Sequence, residues 1–162
     1  MPEDANLVKE KANNYAMLLI MRGKNIYTLG TDRRSREDFV EILLSCGIEA
    51  FLDVRSFPRS KLPIFNRYAL EELLQMNEIQ YHFLGKELGG LRKGGYAAYI
   101  VTKDFQNGIE AIETIAKEKI SVIACAEKLP WKCHRKWISR ELQKRGWHVE
   151  HIIDKGKVWV PR

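Results

Sequence analysis

Three cysteines are too few, and odd in number, for a disulfide framework. They read as reduced thiols. Eleven glycines and five prolines in 162 residues leave no collagen-like, proline-rich or low-complexity segment. No apolar run approaches the ~20 residues of a membrane-spanning helix. The longest such patch is Tyr15–Met21, and acidic Glu3, Asp4 and Glu10 precede it. The first residues lack the basic start and small-residue cleavage site of a signal peptide. These absences lead to the expectation of a cytoplasmic protein without membrane association. No Walker spacing and no dinucleotide-binding glycine fingerprint follows a strand. Cys125 and Cys133 are separated by seven residues, whereas structural zinc sites prefer pairs two to four apart. His148 and His151 have two residues between them, which turns them to opposite sides of a strand. The expectation is therefore no metal and no cofactor.

What is present is a globular composition, 45% apolar and 30% charged, with enough length for one sizeable core. The net charge of +6 is unevenly placed. Residues 1–81 carry 11 basic and 12 acidic side chains, whereas residues 82–162 carry 16 basic and 9 acidic. The stretch Lys128–Arg145 alone holds seven basic residues against Glu141. Such a face suits a polyanion, or it is a solvated helix surface that aids solubility.

Periodicity divides the chain near Gly23. Val8, Ala12, Tyr15 and Leu19 recur at helical spacing, so residues 1–25 read as an N-terminal helical extension that offers an oligomer contact. Residues 26–162 read as one α/β domain. Strands are expected at Ile26–Leu29, Glu49–Val54, Ile79–Leu84, Ile120–Cys125 and Trp147–Ile152. Helices are expected at Ser35–Cys46, Asn66–Met76, Asp104–Lys117 and Pro130–Lys144, with a glycine-rich loop over Gly85–Gly95. Ser35 and Asp38 are spaced as a capping box, and Pro130 suits a first helical position. Alternating strands and helices predict a mostly parallel sheet of about five strands with helices on both faces. Ligand sites of such sheets lie outside the carboxyl ends of the strands.

Three of the loops at that edge carry chemistry. D-V-R-S-F-P-R-S at 53–60 places Arg55 and Arg59 where two guanidiniums would hold a carboxylate or phosphate, unless Asp53 and Arg55 form a structural ion pair. C-A-E-K-L-P-W-K-C-H-R at 125–135 is the densest reactive cluster. Cys125 would end a strand facing a helix start, where the helix dipole lowers a thiol's pKa. His134 could serve as its base or as a general acid. Glu127 either organises the site by binding a neighbouring cation or acts as acid, base or nucleophile. Arg135 and His134 would flank the sheet-facing stripe of Trp131, Ile138 and Leu142, and either bind substrate or support the site by pairing with Asp53, Glu127 or a backbone carbonyl. Lys132, Lys136, Arg140 and Lys144 fall on the solvated side. In the loop at 85–95, glycines permit motion, and Arg92 with Lys93 could close over an anion.

These residues carry a resemblance. Y-T-L-G-T-x-x-R-S at 27–35, D-V-R-S-F-P-R-S at 53–60, H-x-L-G-x-E-L-G-G-L-R at 82–92 and C-A-E-x-x-P-W-x-C-H-R at 125–135 resemble a widespread prokaryotic domain-of-unknown-function family, family four-eight-eight. The likeness spans about Ile26 to Ile152 and implies an α/β sheet without an established activity. A weaker similarity is to rhodanese-like domains, which also place D-V-R after an early strand and a cysteine at the end of a late one. It departs from them in lacking an arginine five or six residues after Cys125, and in having Glu127 and Pro130 in the loop.

The leading expectation is an enzyme, a Cys- or Glu-dependent transferase or hydrolase. Cys125, Glu127 and His134 would be catalytic, and Arg55, Arg59, Arg135 and Arg92 would bind an anionic nucleotide or nucleic-acid substrate. One alternative is a nucleic-acid-binding module built on the helix at 130–145, with Trp137 free to stack on a base. The other is rhodanese-like sulfur transfer.

Overall fold

The computed structural model describes residues 4–162; the side chains of residues 18–22, Leu19 of the expected helical stripe among them, lie outside the described part. Helix α1 runs Ala5–Arg22. Its residues 5–17 are all exposed. A six-stranded sheet follows: β1 Asn25–Gly30, β2 Ala50–Asp53, β3 Gln80–Phe83, β4 Ser121–Cys125, β5 His148–Asp154 and β6 Lys157–Trp159. The spatial order is β3-β2-β4-β1-β5-β6, and only the β5–β6 pairing is antiparallel.

Helices α2 (Arg36–Ser45) and α3 (Arg67–Met76) cover one face. Helices α6 (Lys103–Ala116) and α7 (Arg135–Lys144) cover the other. The short helices α4 (Gly85–Leu88) and α5 (Tyr96–Tyr99) lie between β3 and α6. The faces follow from right-handed crossovers. The chain steps one way along the sheet through α2 and α3, then reverses after β3 and returns through α6 and α7, so the two pairs fall on opposite sides. Strand alternation then sorts the core. Val122 and Ala124 of β4 join Phe39, Phe51 and Leu70 in one layer. Ile123 and Cys125 join Leu52, Ile109 and Ile138 in the other. Parity alone thus turns Cys125 toward α7.

The expected elements are found, and several differences stand beside them. Ser35 caps α2, its Oγ accepting the Asp38 amide at 3.1 Å. The expected loop at 85–95 instead begins with α4. The expected continuous helix at 130–144 is a 3₁₀ turn, Pro130–Lys132, followed by α7. Cys133 between them is extended (φ −133°, ψ 159°), which ends the turn and restarts the helical phase. Trp131 therefore leaves the sheet-facing stripe and is exposed, while Ile138 and Leu142 stay buried. Strand β6 was not expected. It forms by a tight turn in which Gly156 adopts φ 67°, pairing His151 with Trp159. Among the described residues no helix is long and apolar enough to cross a membrane.

Candidate active site

The central strands β1, β2 and β4 end level with one another, Gly30 beside Cys125 and Asp53 beside Ala124. The reversal of chain direction leaves a crevice at this edge, as in other doubly wound sheets. The loop after β1 stays paired with the loop after β4: Thr31 and Asp32 amides donate to the Cys125 and Ala126 carbonyls at 2.8 and 2.9 Å. Gly30 permits this approach, because a Cβ there would sit 2.1 Å from the Glu127 carbonyl oxygen.

Arg55 and Asp53 form a buried bidentate pair. Arg55 Nε and Nη2 donate to Asp53 Oδ1 and Oδ2 at 2.8 and 2.7 Å, and Nη1 donates to the Phe65 carbonyl at 2.6 Å. Tyr81 donates its hydroxyl to Asp53 at 2.6 Å; burial first, then this bond, keeps the phenol protonated. The guanidinium is thus committed to the protein and stiffens the loop. The glycine-rich segment is packed against the same loop. A Cβ on Gly89 would strike Ser56 Oγ at 2.3 Å, and one on Gly90 would strike His134 Nδ1 at 2.7 Å. The Leu91 amide donates to Ser56 Oγ at 3.1 Å. This end of the segment is a wall of the site. Arg92 is held by the Gly89 and Lys86 carbonyls and lies over the Tyr99 ring at 3.9 Å.

The floor of the crevice carries two thiols. Cys125 and Cys133 Sγ atoms are 2.7 Å apart. Arg135, fully buried at the start of α7, reaches beneath them: Nε donates to Cys125 Sγ at 3.1 Å, Nη1 to Thr28 Oγ1 at 2.9 Å, and Nη2 to the Glu127 carbonyl. The Arg135 backbone N–H donates to Cys133 Sγ at 3.3 Å. His134 Nε2 lies 2.9 Å from the Val54 carbonyl, which can only accept. That contact puts the proton on Nε2 and leaves Nδ1, 3.6 Å from Cys133 Sγ, as the basic nitrogen.

The two thiols are therefore unequal. The hydrogen bond from Cys125, the one that His134 Nδ1 donates once it has taken the Cys133 proton, and the charges of His134 and Arg135 pull Cys133 far below the usual thiol range despite its burial. Burial pushes Cys125 up, and its bond to Cys133 adds to this. The expected lowering at Cys125 is corrected here: only 2% of that residue is exposed, and it holds its proton as donor to the Cys133 thiolate. In the sequence Cys133 stands out only as the second thiol of the 125–135 cluster. The adjacent C-H pair at 133–134, just ahead of a helix, is the signal that would have found it.

A hollow of about 420 Å³ opens over these groups. Arg55, Cys125, Glu127, Cys133 and His134 line it, joined by Ser56, Phe57 and Lys132. Glu127 is exposed and its carboxylate takes the Leu129 amide at 3.4 Å. Of the other sequence candidates, Arg135 lies beneath the floor, and neither Arg59 nor Arg92 is among the lining residues. Arg59 is exposed. Among the described residues no group of three or more His, Cys, Asp or Glu side chains is placed to hold a metal ion.

A family model for a domain of unknown function, DUF488, matches residues 35–142. This is two thirds of the chain. The protein belongs to the DUF488 family. The matched region runs from the cap of α2 to Leu142 in α7 and so contains every residue that lines the hollow. The N-terminal helix α1 and strands β1, β5 and β6 lie outside it. Neither the comparison with curated proteins nor that with solved structures gave a match.

Proposed function

We propose that this DUF488 protein is an enzyme of covalent, cysteine-dependent catalysis, a transferase or hydrolase, with Cys133 as nucleophile. The observation that carries the reading is the Cys133–His134 pair on the floor of an open hollow. Its imidazole is oriented by the Val54 carbonyl, and its thiolate is supported by a helix-start N–H. This is a nucleophile beside a base that is itself held by a third group. Cys133 attacks an electrophilic centre, and the bond to the leaving group breaks. His134, protonated after taking the Cys133 proton, returns it to that group. Cys125 remains a thiol and stabilises the attacking sulfur. Arg55 and Arg135 hold the loops in place. Lys132 is the cation on the wall that suits a substrate with an anionic group.

Acetyl phosphate, a small anionic acyl donor, tests this. The thiolate forms an S–C bond to the acetyl carbon, the C–O bond to phosphate breaks, and phosphate leaves with the electron pair. Peptide mass spectrometry should find the acetyl group on Cys133, lost in Cys133→Ser, retained in Cys125→Ser and competed by inorganic phosphate. Equal labelling of Cys46 and Cys133 would reject the reading, because burial raises the Cys46 thiol's pKa and makes it an internal reference.

A further inference from the structure

A second cavity, of about 490 Å³, lies on the other side of the Pro130–Lys132 turn. Lys132 and Cys133 face the thiol hollow, whereas Pro130 and Trp131 face this one. Its size falls within the range of small-ligand sites. Two indoles form its rim: Trp131 and Trp159 meet edge to face at 5.2 Å, with 46% and 42% of each residue exposed. Both are costly to leave in water unless something covers them. No Asp or Glu side chain is among the residues that line the cavity, while Lys136, Arg140 and Arg162 are. Lys136 and Arg140 also sit over the Trp137 ring at 5.5 and 5.3 Å.

The interior is polar and incompletely partnered. Ser139 is only 3% exposed, and its Oγ has no hydrogen-bond partner among the described residues. A buried hydroxyl left in this state costs free energy. His151 is also buried and stacks on Trp159 at 5.3 Å. Its Nδ1 faces Thr28 Oγ1 at 2.6 Å, and that oxygen already accepts from Arg135. Nδ1 and Thr28 Oγ1 share one hydrogen bond, whose direction the ring's tautomer sets. Burial first, and the charge of Arg135 next, keep the ring neutral. The cavity thus offers a hydroxyl and an imidazole inside, aromatic faces at the rim and cations beside them.

We infer that this cavity binds a nucleobase bearing a phosphate, as a free nucleotide or as a unit of a single strand. The base stacks at Trp131 and Trp159, its polar edge meets Ser139 and His151, and the phosphate meets Arg140 and Lys136. A purely anionic ligand would leave the indoles and the Ser139 hydroxyl unused. An apolar one would bury that hydroxyl unpaired. The site shares no lining residue with the thiol hollow, so it stands without the catalytic reading. Arg135 lies between the two, bonded to Cys125 on one side and through Thr28 to His151 on the other.

Calorimetric titration of the full chain with AMP, ribose 5-phosphate and a ten-residue single-stranded oligonucleotide at low salt tests the inference. AMP or the oligonucleotide should bind, and ribose 5-phosphate should not. Tighter AMP binding identifies a free nucleotide, and tighter oligonucleotide binding with a steep salt dependence identifies a strand. Trp131→Ala should weaken the preferred ligand roughly 5- to 150-fold, the range for loss of one stacked base. Ser139→Ala should weaken it several-fold while leaving thermal stability unchanged or raised, which guards against a folding artefact. Cys133→Ser should leave binding intact. Ribose 5-phosphate binding as well as AMP, or affinities unmoved by Trp131→Ala, would overturn the inference, as would the absence of binding to both base-bearing ligands.

Discussion

The pH dependence of Cys133 alkylation is the sharpest consequence of the site geometry. An ordinary thiol with a pKa of ~8.5 is about 0.3% thiolate at pH 6 and about 3% at pH 7. Its alkylation rate therefore rises about tenfold per pH unit across this range. Cys133 is held as thiolate by Cys125, His134 and Arg135, so its rate should be flat from pH 6 to pH 8. A low-pKa thiolate is also intrinsically less nucleophilic, with a Brønsted slope of ~0.4–0.5. For a thiol lowered from ~8.5 to about 3, the roughly 300-fold gain in ionised fraction at pH 6 is offset by a loss of about 160- to 560-fold in nucleophilicity, so its rate there is about that of an ordinary thiol. At pH 8, where an ordinary thiol is about a quarter ionised, Cys133 should be the slower of the two. The assay is iodoacetamide labelling at fixed pH, with the peptides of Cys46, Cys125 and Cys133 quantified separately by mass spectrometry. His134→Gln removes the basic nitrogen facing the sulfur and should restore part of the slope. A Cys133 rate that climbs tenfold per unit in the wild-type chain, in parallel with Cys46, would refute the thiolate assignment and the nucleophile with it.

Other outcomes follow from the same contacts. Asp53→Ala leaves the Arg55 guanidinium buried without its carboxylate, which should cost about 3–5 kcal/mol and lower the melting temperature roughly 6–20 °C; Tyr81→Phe should cost only about 1 kcal/mol. His151 stays neutral in the fold down to about pH 4, whereas the unfolded ring protonates near 6.5. The unfolded state thus binds more protons between these values, so stability is fully present above pH 7 and falls by up to about 3 kcal/mol on acidification to pH 4. Denaturant midpoints should show this slope, and His151→Asn should remove it. With hydrogen peroxide, the Cys133 thiolate takes one oxygen as a sulfenate and releases water; the sulfenate picks up a proton from solvent, and the Cys125 thiol then attacks its sulfur, forming the S–S bond as a second water leaves. Non-reducing peptide mapping should recover the 125–133 pair and no 46-linked species.

Much of the fold was legible because its signals are local. The apolar runs at 26–29, 50–54 and 120–125 are too short for helices and are separated by amphipathic segments, which fixes strand–helix alternation. Ser35 announced its helix by capping chemistry. The segment at 130–144 misled for a local reason as well: helical spacing of Trp131, Ile138 and Leu142 does not register one extended residue, Cys133, that resets the phase. Strand β6 was invisible because three residues carry no period, and its existence depends on β5 being present to pair with it.

By itself, the sequence determined which side chains stand at the ends of the parallel strands. Strand length, side-chain parity and right-handed crossovers leave few places for Arg55, Cys125 and His134 to go. Only the tertiary structure decided what each of them does. Burial pairs the Arg55 and Arg135 guanidiniums with partners inside the protein, because a guanidinium out of water must satisfy its donors there. Contact between two sulfurs and one correctly oriented imidazole moved the thiolate from Cys125 to Cys133. Desolvation and hydrogen bonding set a thiol's charge, and both depend on neighbours that are distant in the chain.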